Sequence, residues 1–306
     1  MEDTFTSMTM VPYDEFGLFQ ENATEFGLPY PGPPVVRRER FTVAPDRQLS
    51  ALVWGETTPE VVLLHGGAQN AHTWDTVALA LGRSLLAIDL PGHGHSDAPA
   101  EGSLDVRRNA QDVAQVIAAL APSATAVVGM SLGGLTTIAL ADAHPDLVRR
   151  VVLVDVTPRV EGPGAAAIVA FINGPESFAD FDELLARTIE FNPTRSESSL
   201  RRGILHNAMR RDDGSWVWRY RRFREAGTDA EHALPTEDLW DALERISVPL
   251  MLVRGMRPGS VVDDEAEAEL RRRQPTARIE HVVEAGHSVQ GDDPIHLAHL
   301  ITDFII

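Results

Sequence analysis

Apolar and polar positions along the 306-residue chain follow two periods that alternate. Apolar or β-branched runs at 35–44, 48–54, 60–65, 84–89, 124–130, 150–155, 248–254 and 278–283 read as strands. Some of them, such as Val61-Val62-Leu63-Leu64 and Val151-Val152-Leu153-Val154, are apolar at every position, as parallel strands covered on both faces are. Between them, 71–82, 103–120, 131–144, 263–274 and 290–305 carry helical steps of three and four residues. Val106, Ala110, Val113, Ile117 and Leu120 are the clearest such face. This order predicts a doubly wound α/β fold.

The alternation stops at about 157 and resumes at about 246. The stretch between is helix-like, with one stripe at Phe178, Phe181, Leu185 and Ile189 and a second at Leu200, Ile204 and Ala208. Asn192-Pro193 parts them, because the residue before a proline disfavours helix. A helical insertion of this size between two strands predicts a cap over 157–245, leaving 35–156 and 246–306 as the two parts of one core. Residues 1–34 stand apart as an arm: six acids, no base, and a stiff Pro29-Tyr30-Pro31-Gly32-Pro33-Pro34 linker. Phe16, Phe19, Phe26 and Tyr30 predict that the arm docks on the body; its acidic composition alone would give a disordered tail.

Composition removes several chemistries. Cysteine is absent, which excludes disulfides, thiolate nucleophiles and thiolate metal sites. All 27 basic residues are arginine, so a Schiff-base lysine and a P-loop lysine are excluded as well. A net charge of −18 and a pI near 4.9 argue against nucleic acid and anionic lipid as partners. No run of about 18 apolar residues predicts a membrane span, and Met1-Glu2-Asp3 does not open a signal peptide, so a soluble, cytoplasmic protein is expected.

The strongest local signal is Val127-Val128-Gly129-Met130-Ser131-Leu132-Gly133-Gly134, a strand running through Gly-x-Ser-x-Gly into a helix. The sharp turn this requires puts Ser131 at its tip, a nucleophile at a helix N-terminus. Upstream, strand 60–64 leads into His65-Gly66-Gly67-Ala68. An acyl-transfer site needs two preorganised N–H donors for its oxyanion; Leu132 offers one, and Gly67 or Ala68 the second. His287, after strand 278–283 and before the last helix, lies on the same sheet edge as Ser131 and suits a general base. His144, His206, His296 and His299 fall in helix patterns and read as packing or surface groups. His93-x-His95-x-Asp97 has a spacing that a metal site could use.

Taken together, His65-Gly66-Gly67, Asp89-Leu90-Pro91-Gly92-His93-Gly94-His95-Ser96-Asp97, Gly129-Met130-Ser131-Leu132-Gly133 and Gly286-His287 occur in an order and spacing that resembles the α/β-hydrolase family over about 35–306. The resemblance implies an eight-stranded, mostly parallel sheet, an inserted helical cap and a Ser–acid–His triad that needs no cofactor. It also implies that 89–97 is a loop ordering the active-site side of the sheet rather than a metal site. Ser131, standing where epoxide hydrolases and haloalkane dehalogenases carry a carboxylate, excludes those two relatives.

The acid departs from the family's usual pattern. The loop after strand 248–254 reads Arg254-Gly255-Met256-Arg257-Pro258-Gly259-Ser260, and its first carboxylates are Asp263 and Asp264, which look like helix-capping acids. Asp155 instead ends the strand next to the nucleophile's, a place some related lactone hydrolases and cofactor-free dioxygenases use. It keeps the chain order serine, acid, histidine. Asp155 is therefore expected to be the acid, with Asp263 or Asp264 as the alternative.

The expected activity is hydrolysis of an ester, thioester or lactone through an acyl-enzyme on Ser131. The substrate would be a small, moderately apolar molecule, with Phe171, Phe178, Trp216, Trp218 and Phe223 as candidate pocket walls. A carbon–carbon bond hydrolase would use a cap arginine such as Arg219, Arg221 or Arg222, although the arginines at 219–224 read as solvent-facing or paired with cap acids. The same residues would also suit a cofactor-free oxygenase or lyase that uses the His–Asp pair as a base, or a receptor-like module that only binds its ligand. Oligomeric state is not encoded in these patterns.

Overall fold

The computed structural model describes residues 8–9, 13–99, 105–220 and 238–306. A two-residue strand, β1 (Met8–Thr9), precedes helix α1 (Phe19–Glu25) in the arm. The body opens with β2 (Val36–Ala44), β3 (Arg47–Trp54) and β4 (Val61–Leu64). There follow α2 (Asp75–Leu81), β5 (Leu85–Ile88), α3 (Val106–Leu120), β6 (Ala126–Met130), α4 (Leu132–Ala143) and β7 (Val151–Val154). Helices α5 (Gly162–Ile172), α6 (Phe181–Phe191) and α7 (Glu197–Asn207), strands β8 (Ala208–Arg211) and β9 (Trp216–Trp218), and helix α8 (Leu239–Arg245) come next. The chain closes with β10 (Leu250–Gly255), α9 (Asp264–Arg273), β11 (Arg278–Val282), α10 (Val289–Asp292) and α11 (Pro294–Ile305).

Eight strands form one sheet in the order β11-β10-β7-β6-β4-β5-β3-β2, parallel except where β3 meets β2 and β5. The all-apolar strands are double-sided, as their pattern predicts. Val62 and Leu64 join one core layer with α3, α4 and α8, whereas Val61 and Leu63 join the other with α2 and α11. Val151 and Leu153 divide from Val152 and Val154 in the same way. Because all parallel strands point one way, the loops after β4, β6, β7, β10 and β11 gather at a single edge.

The insertion between β7 and β10 differs from the helical expectation. β8 and β9 pair antiparallel, and β1 of the arm pairs with β8, giving a second, three-stranded sheet. Ala208, expected on a helical stripe, opens β8. Phe178 lies before α6 and bridges to Trp216, because Asp180 caps the helix and starts it at 181. The buried face of α6 is Leu184, Leu185 and Thr188, while Ile189 is exposed. Leu239, Ala242 and Leu243 of α8 pack into the core layer beside α4.

The arm is anchored at both ends of its chemistry. Phe19 is fully buried and packs on Trp54 with ring centroids 4.8 Å apart. Glu15 pairs with Arg38 of β2, and Glu25 with Arg202 of α7, so arm acids bind both the core and the insertion.

Candidate active site

Ser131 joins β6 to α4 with φ 50° and ψ −118°. A non-glycine residue pays for such a conformation with strain, held here by close packing around the turn. A Cβ on Gly129 would collide with the Gly133 carbonyl, and one on Gly133 with the Leu64 carbonyl, so glycine is required at both. The other non-glycine residues with positive φ among the described residues are Ala68 and Asp155. All three strained positions therefore belong to loops of the same sheet edge.

Asp155 is fully buried at the end of β7. Its Oδ1 accepts from the Gly255 N–H at 3.0 Å and the Ser260 hydroxyl at 2.6 Å. Its Oδ2 accepts from the Val261 N–H at 3.0 Å and from His287 Nδ1 at 2.9 Å. Four donors fix this carboxylate, and its contact with Nδ1 leaves His287 Nε2 as the proton-accepting atom. Asp263 does something else: its carboxylate accepts the Ala266 N–H at 2.7 Å as the N-cap of α9. Asp264 is exposed and pairs with Arg254. Ser260 is the member the sequence conceals, since one loop serine carries no pattern of its own.

The two histidines of the glycine-rich loops are structural. His65 Nε2 accepts the Leu90 N–H at 2.9 Å while Nδ1 donates to the Gly66 carbonyl at 2.7 Å. His93 Nε2 accepts the Ala68 N–H at 3.1 Å and Nδ1 donates to the Pro91 carbonyl at 3.0 Å. Burial, with the neighbouring His65 ring adding to it, holds His93 down at about 3, so it stays neutral. Both of its ring nitrogens are engaged, which leaves it no lone pair for a metal. This pairing also removes Ala68 as an oxyanion donor. The Gly67 N–H keeps no acceptor among the described residues, and Leu132, as first residue of α4, has no intrahelical acceptor for its own.

Ser131, His287 and Gly67 line one cavity of about 250 Å³. Ile168, Phe171 and Ile172 of α5, with Phe191, supply its apolar wall. Phe171 is thus a wall residue as expected, whereas Phe178 and Trp216 pack in the insertion's own core. Trp218 lines a neighbouring cavity; Phe223, Arg221 and Arg222 lie outside the described residues. Arg219 is buried rather than solvent-facing and donates to His95 Nε2 at 2.6 Å. His72, Asp75 and His206 bring ligating atoms within 4.8 Å of one another. The two imidazole rings, however, stack 3.7 Å apart at 11°, so the in-plane lone pairs run parallel instead of converging on one ion. Hydrogen bonds of His72 to Asp75 and Glu15 fit an ion-pair cluster better than a metal site.

Comparison with known proteins agrees with this geometry. The sequence profile of the alpha/beta hydrolase family matches residues 61–297. Esterase Rv0045c of Mycobacterium tuberculosis is 45% identical over 295 residues, covering 94% of each chain. A crystal structure of that esterase superposes with a TM-score of 0.80 at 43% identity, covering 96% of this chain and 99% of the other. The pimeloyl-[acyl-carrier protein] methyl ester esterase of Aeromonas hydrophila is 30% identical, covering 81% of this chain and 95% of its own. The sheet order, the strained serine turn and these matches together make the chain a member of the α/β-hydrolase family of enzymes.

Proposed function

We propose that the chain is a serine ester hydrolase working through an acyl-enzyme on Ser131. The observation that carries this reading is the pairing of buried Asp155 with half-buried His287, 2.9 Å apart, in loops around the cavity that Ser131 also lines. His287 Nε2 takes the Ser131 proton as Oγ attacks the ester carbonyl, and the Gly67 and Leu132 N–H groups receive the developing oxyanion. The proton then passes from His287 to the departing alkoxide, releasing the alcohol. Water, deprotonated by the same histidine, cleaves the acyl-enzyme and regenerates Ser131. Asp155 holds the Nδ1–H tautomer and stabilises the imidazolium formed at each step. No cofactor enters this cycle.

The enzyme is an ester hydrolase; thioesters and lactones present the same electrophilic carbonyl and fall within the same mechanism. The insertion acts as its cap through α5 to α7 and β8–β9, with α5 facing the nucleophile, while α8 packs on the core of 35–156 and 246–306; Glu15 and Glu25 of the arm tie core and cap together. The −18 charge and the lack of cysteine fit a cytoplasmic enzyme with a small-molecule substrate and no nucleic-acid partner. None of the described helices is long and apolar enough to cross a membrane.

Labelling with a fluorophosphonate and mapping the modified peptide tests the reading, together with an ester chain-length series. The expected result is a single adduct on Ser131, lost with Ser131→Ala along with several powers of ten in turnover. Retained activity in Ser131→Ala would leave the His–Asp pair as a lone base and favour oxygenase or lyase chemistry.

A further inference from the structure

A second cavity of about 160 Å³ adjoins the nucleophile's, and the two share Ala68, Gln69, Phe171, Asn192 and Ser288 as walls. Its character is different. Four enclosed polar atoms without hydrogen-bond partners sit on residues that line it: Arg195 Nε, Gln290 Oε1, His206 Nε2 and Asp75 Oδ1. Gln290 is only 1% exposed. Leaving such groups unmatched is costly, and their gathering around one chamber marks a place built for a polar guest.

Two of these atoms, Gln290 Oε1 and Asp75 Oδ1, are acceptors that an anion does not serve, so the guest's sign is read from the cations around the chamber. Arg202 is neutralised by Glu25 and Glu21 of the arm, and His72 by Asp75 and Glu15. Arg195 has no carboxylate within ion-pair distance among the described residues. The one hydrogen bond of its guanidinium among the described residues is from Nη2 to Ser199 Oγ at 2.5 Å. Of the acids that act on its charge, Asp292 does so most and Glu25 next, but Asp292 Oδ2 already accepts the Gly286 N–H at 2.9 Å and Glu25 is paired with Arg202. Burial acts against the Arg195 charge and lowers its basicity, the sign of a guanidinium short of a counter-ion. Its position ties it to the chemistry: Pro193 and Thr194 line the Ser131 cavity, and the guanidinium packs on Gly291, just beyond His287 and Ser288.

We propose that this chamber is a carboxylate subsite, so that the enzyme's substrates are half-esters of dicarboxylic acids whose free carboxylate is held by Arg195. The inference rests on the ester-hydrolase reading above. A single uncompensated cation suits a monoanion, and a flat guanidinium fork suits a carboxylate better than a phosphate dianion. Hydrolysis of such a half-ester at Ser131 consumes one water and releases the alcohol, the dicarboxylate and one proton.

The test compares kcat/KM for monomethyl and dimethyl esters of succinate, glutarate and adipate in wild type, Arg195→Gln and Arg195→Lys, with thermal melts to verify folding. Wild type is expected to favour the monomethyl ester at one chain length. Arg195→Gln should lower the mono-to-diester ratio at least about tenfold, as loss of a charged hydrogen bond does, and Arg195→Lys should recover part of it. A wild type that favours the diester at every length, or a ratio untouched by Arg195→Gln, overturns the subsite while Ser131 labelling leaves the hydrolase reading standing. If neither ester is cleaved and Ser131 is not labelled, calorimetry with monomethyl glutarate on Ser131→Ala still decides. Binding weakened at least about tenfold by adding Arg195→Gln supports the subsite; equal affinity, or tighter binding of methyl phosphate, overturns it.

Discussion

The hydroxyl of Ser260 donates to Asp155 Oδ1 at 2.6 Å, across from the oxygen that faces His287. The proposed acid thus stands at the end of β7, and the loop after β10 supports it through Ser260 and the Gly255 and Val261 amides. Asp155→Asn keeps the shape but removes the charge and admits the wrong histidine tautomer. A fall in turnover of at least roughly a hundredfold is expected, on the scale known for the same change in a serine protease. Ser260→Ala, which removes one donor of four, should cost about tenfold or less. Asp263→Asn should leave kcat/KM unchanged and lower stability by a few tenths of a kcal/mol, as for a cap charge. Steady-state kinetics of the three variants, side by side, checks the assignment; a crippled Asp263→Asn beside a healthy Asp155→Asn would reverse it.

The strained serine predicts a trade between stability and activity. Ser131 sits at φ 50°, a region glycine enters without cost. Ser131→Gly should therefore be inactive yet more stable than wild type by about 1 kcal/mol, or about 1–2 °C in melting temperature for a chain of this length. Ser131→Ala keeps a Cβ and should not show the gain. Differential scanning of both variants separates backbone strain from the loss of the hydroxyl.

Gly133→Ala meets backbone rather than a movable side chain, because its Cβ would overlap the Leu64 and His65 carbonyls. Those carbonyls lead into the loop of Gly67, the proposed oxyanion donor, so any accommodation displaces it. The variant should yield little soluble protein, and what folds should lose activity by far more than its change in melting temperature implies. Full activity in Gly133→Ala would contradict the close packing of α4 on β4.

The sheet and its site are legible in the sequence to different depths. The inner strands β4, β5, β6, β7 and β10 read from near-continuous apolar runs, since burial on both faces suppresses polar residues there, whereas the edge strands β2 and β11 carry apolar positions between charged ones. Ser131, His287 and Asp155, which we propose as the triad, stand out in the sequence because they follow apolar strands, and the fold brings the loops that carry them to one sheet edge. The β8–β9 pair does not read, because Ala208-Met209-Arg210-Arg211 lacks alternation and owes its pairing to β1 and to Trp216–Trp218. Arg195 and Ser260 are equally silent, for their meaning lies in partners far along the chain. So is the docking of the arm's acids, which depends on Arg38 and Arg202 being exposed to them by the fold.

The last prediction concerns the arm and pH. Burial alone would depress His72, but Asp75 at 2.9 Å and Glu15 at 3.0 Å outweigh it and hold the imidazolium up to about 9. Its unfolded value is near 6.5. A group raised on folding adds stability that is complete below its unfolded value and is lost as pH climbs through the folded one. Melting temperature should therefore decline between about pH 6.5 and 9. On the acid side Glu15, held down to about 2 against burial by hydrogen bonds from His72 and Arg38, loses its contribution as pH falls from 4.5 towards 2. His65, His93 and His206, all lowered chiefly by burial, add to that acid loss below about 6.5, so the acid limb has several sources. Asp75, whose carboxyl burial raises, contributes in the same direction as His72 when pH climbs, so the variants are needed to assign the alkaline limb. His72→Gln should lower stability at pH 6.5 and flatten the decline above it, while Glu15→Gln, which removes one of the two carboxylates, should shift the decline to lower pH. Thermal melts of the three proteins from pH 6 to 9.5 read this directly, and an unchanged alkaline slope in His72→Gln would place its origin elsewhere.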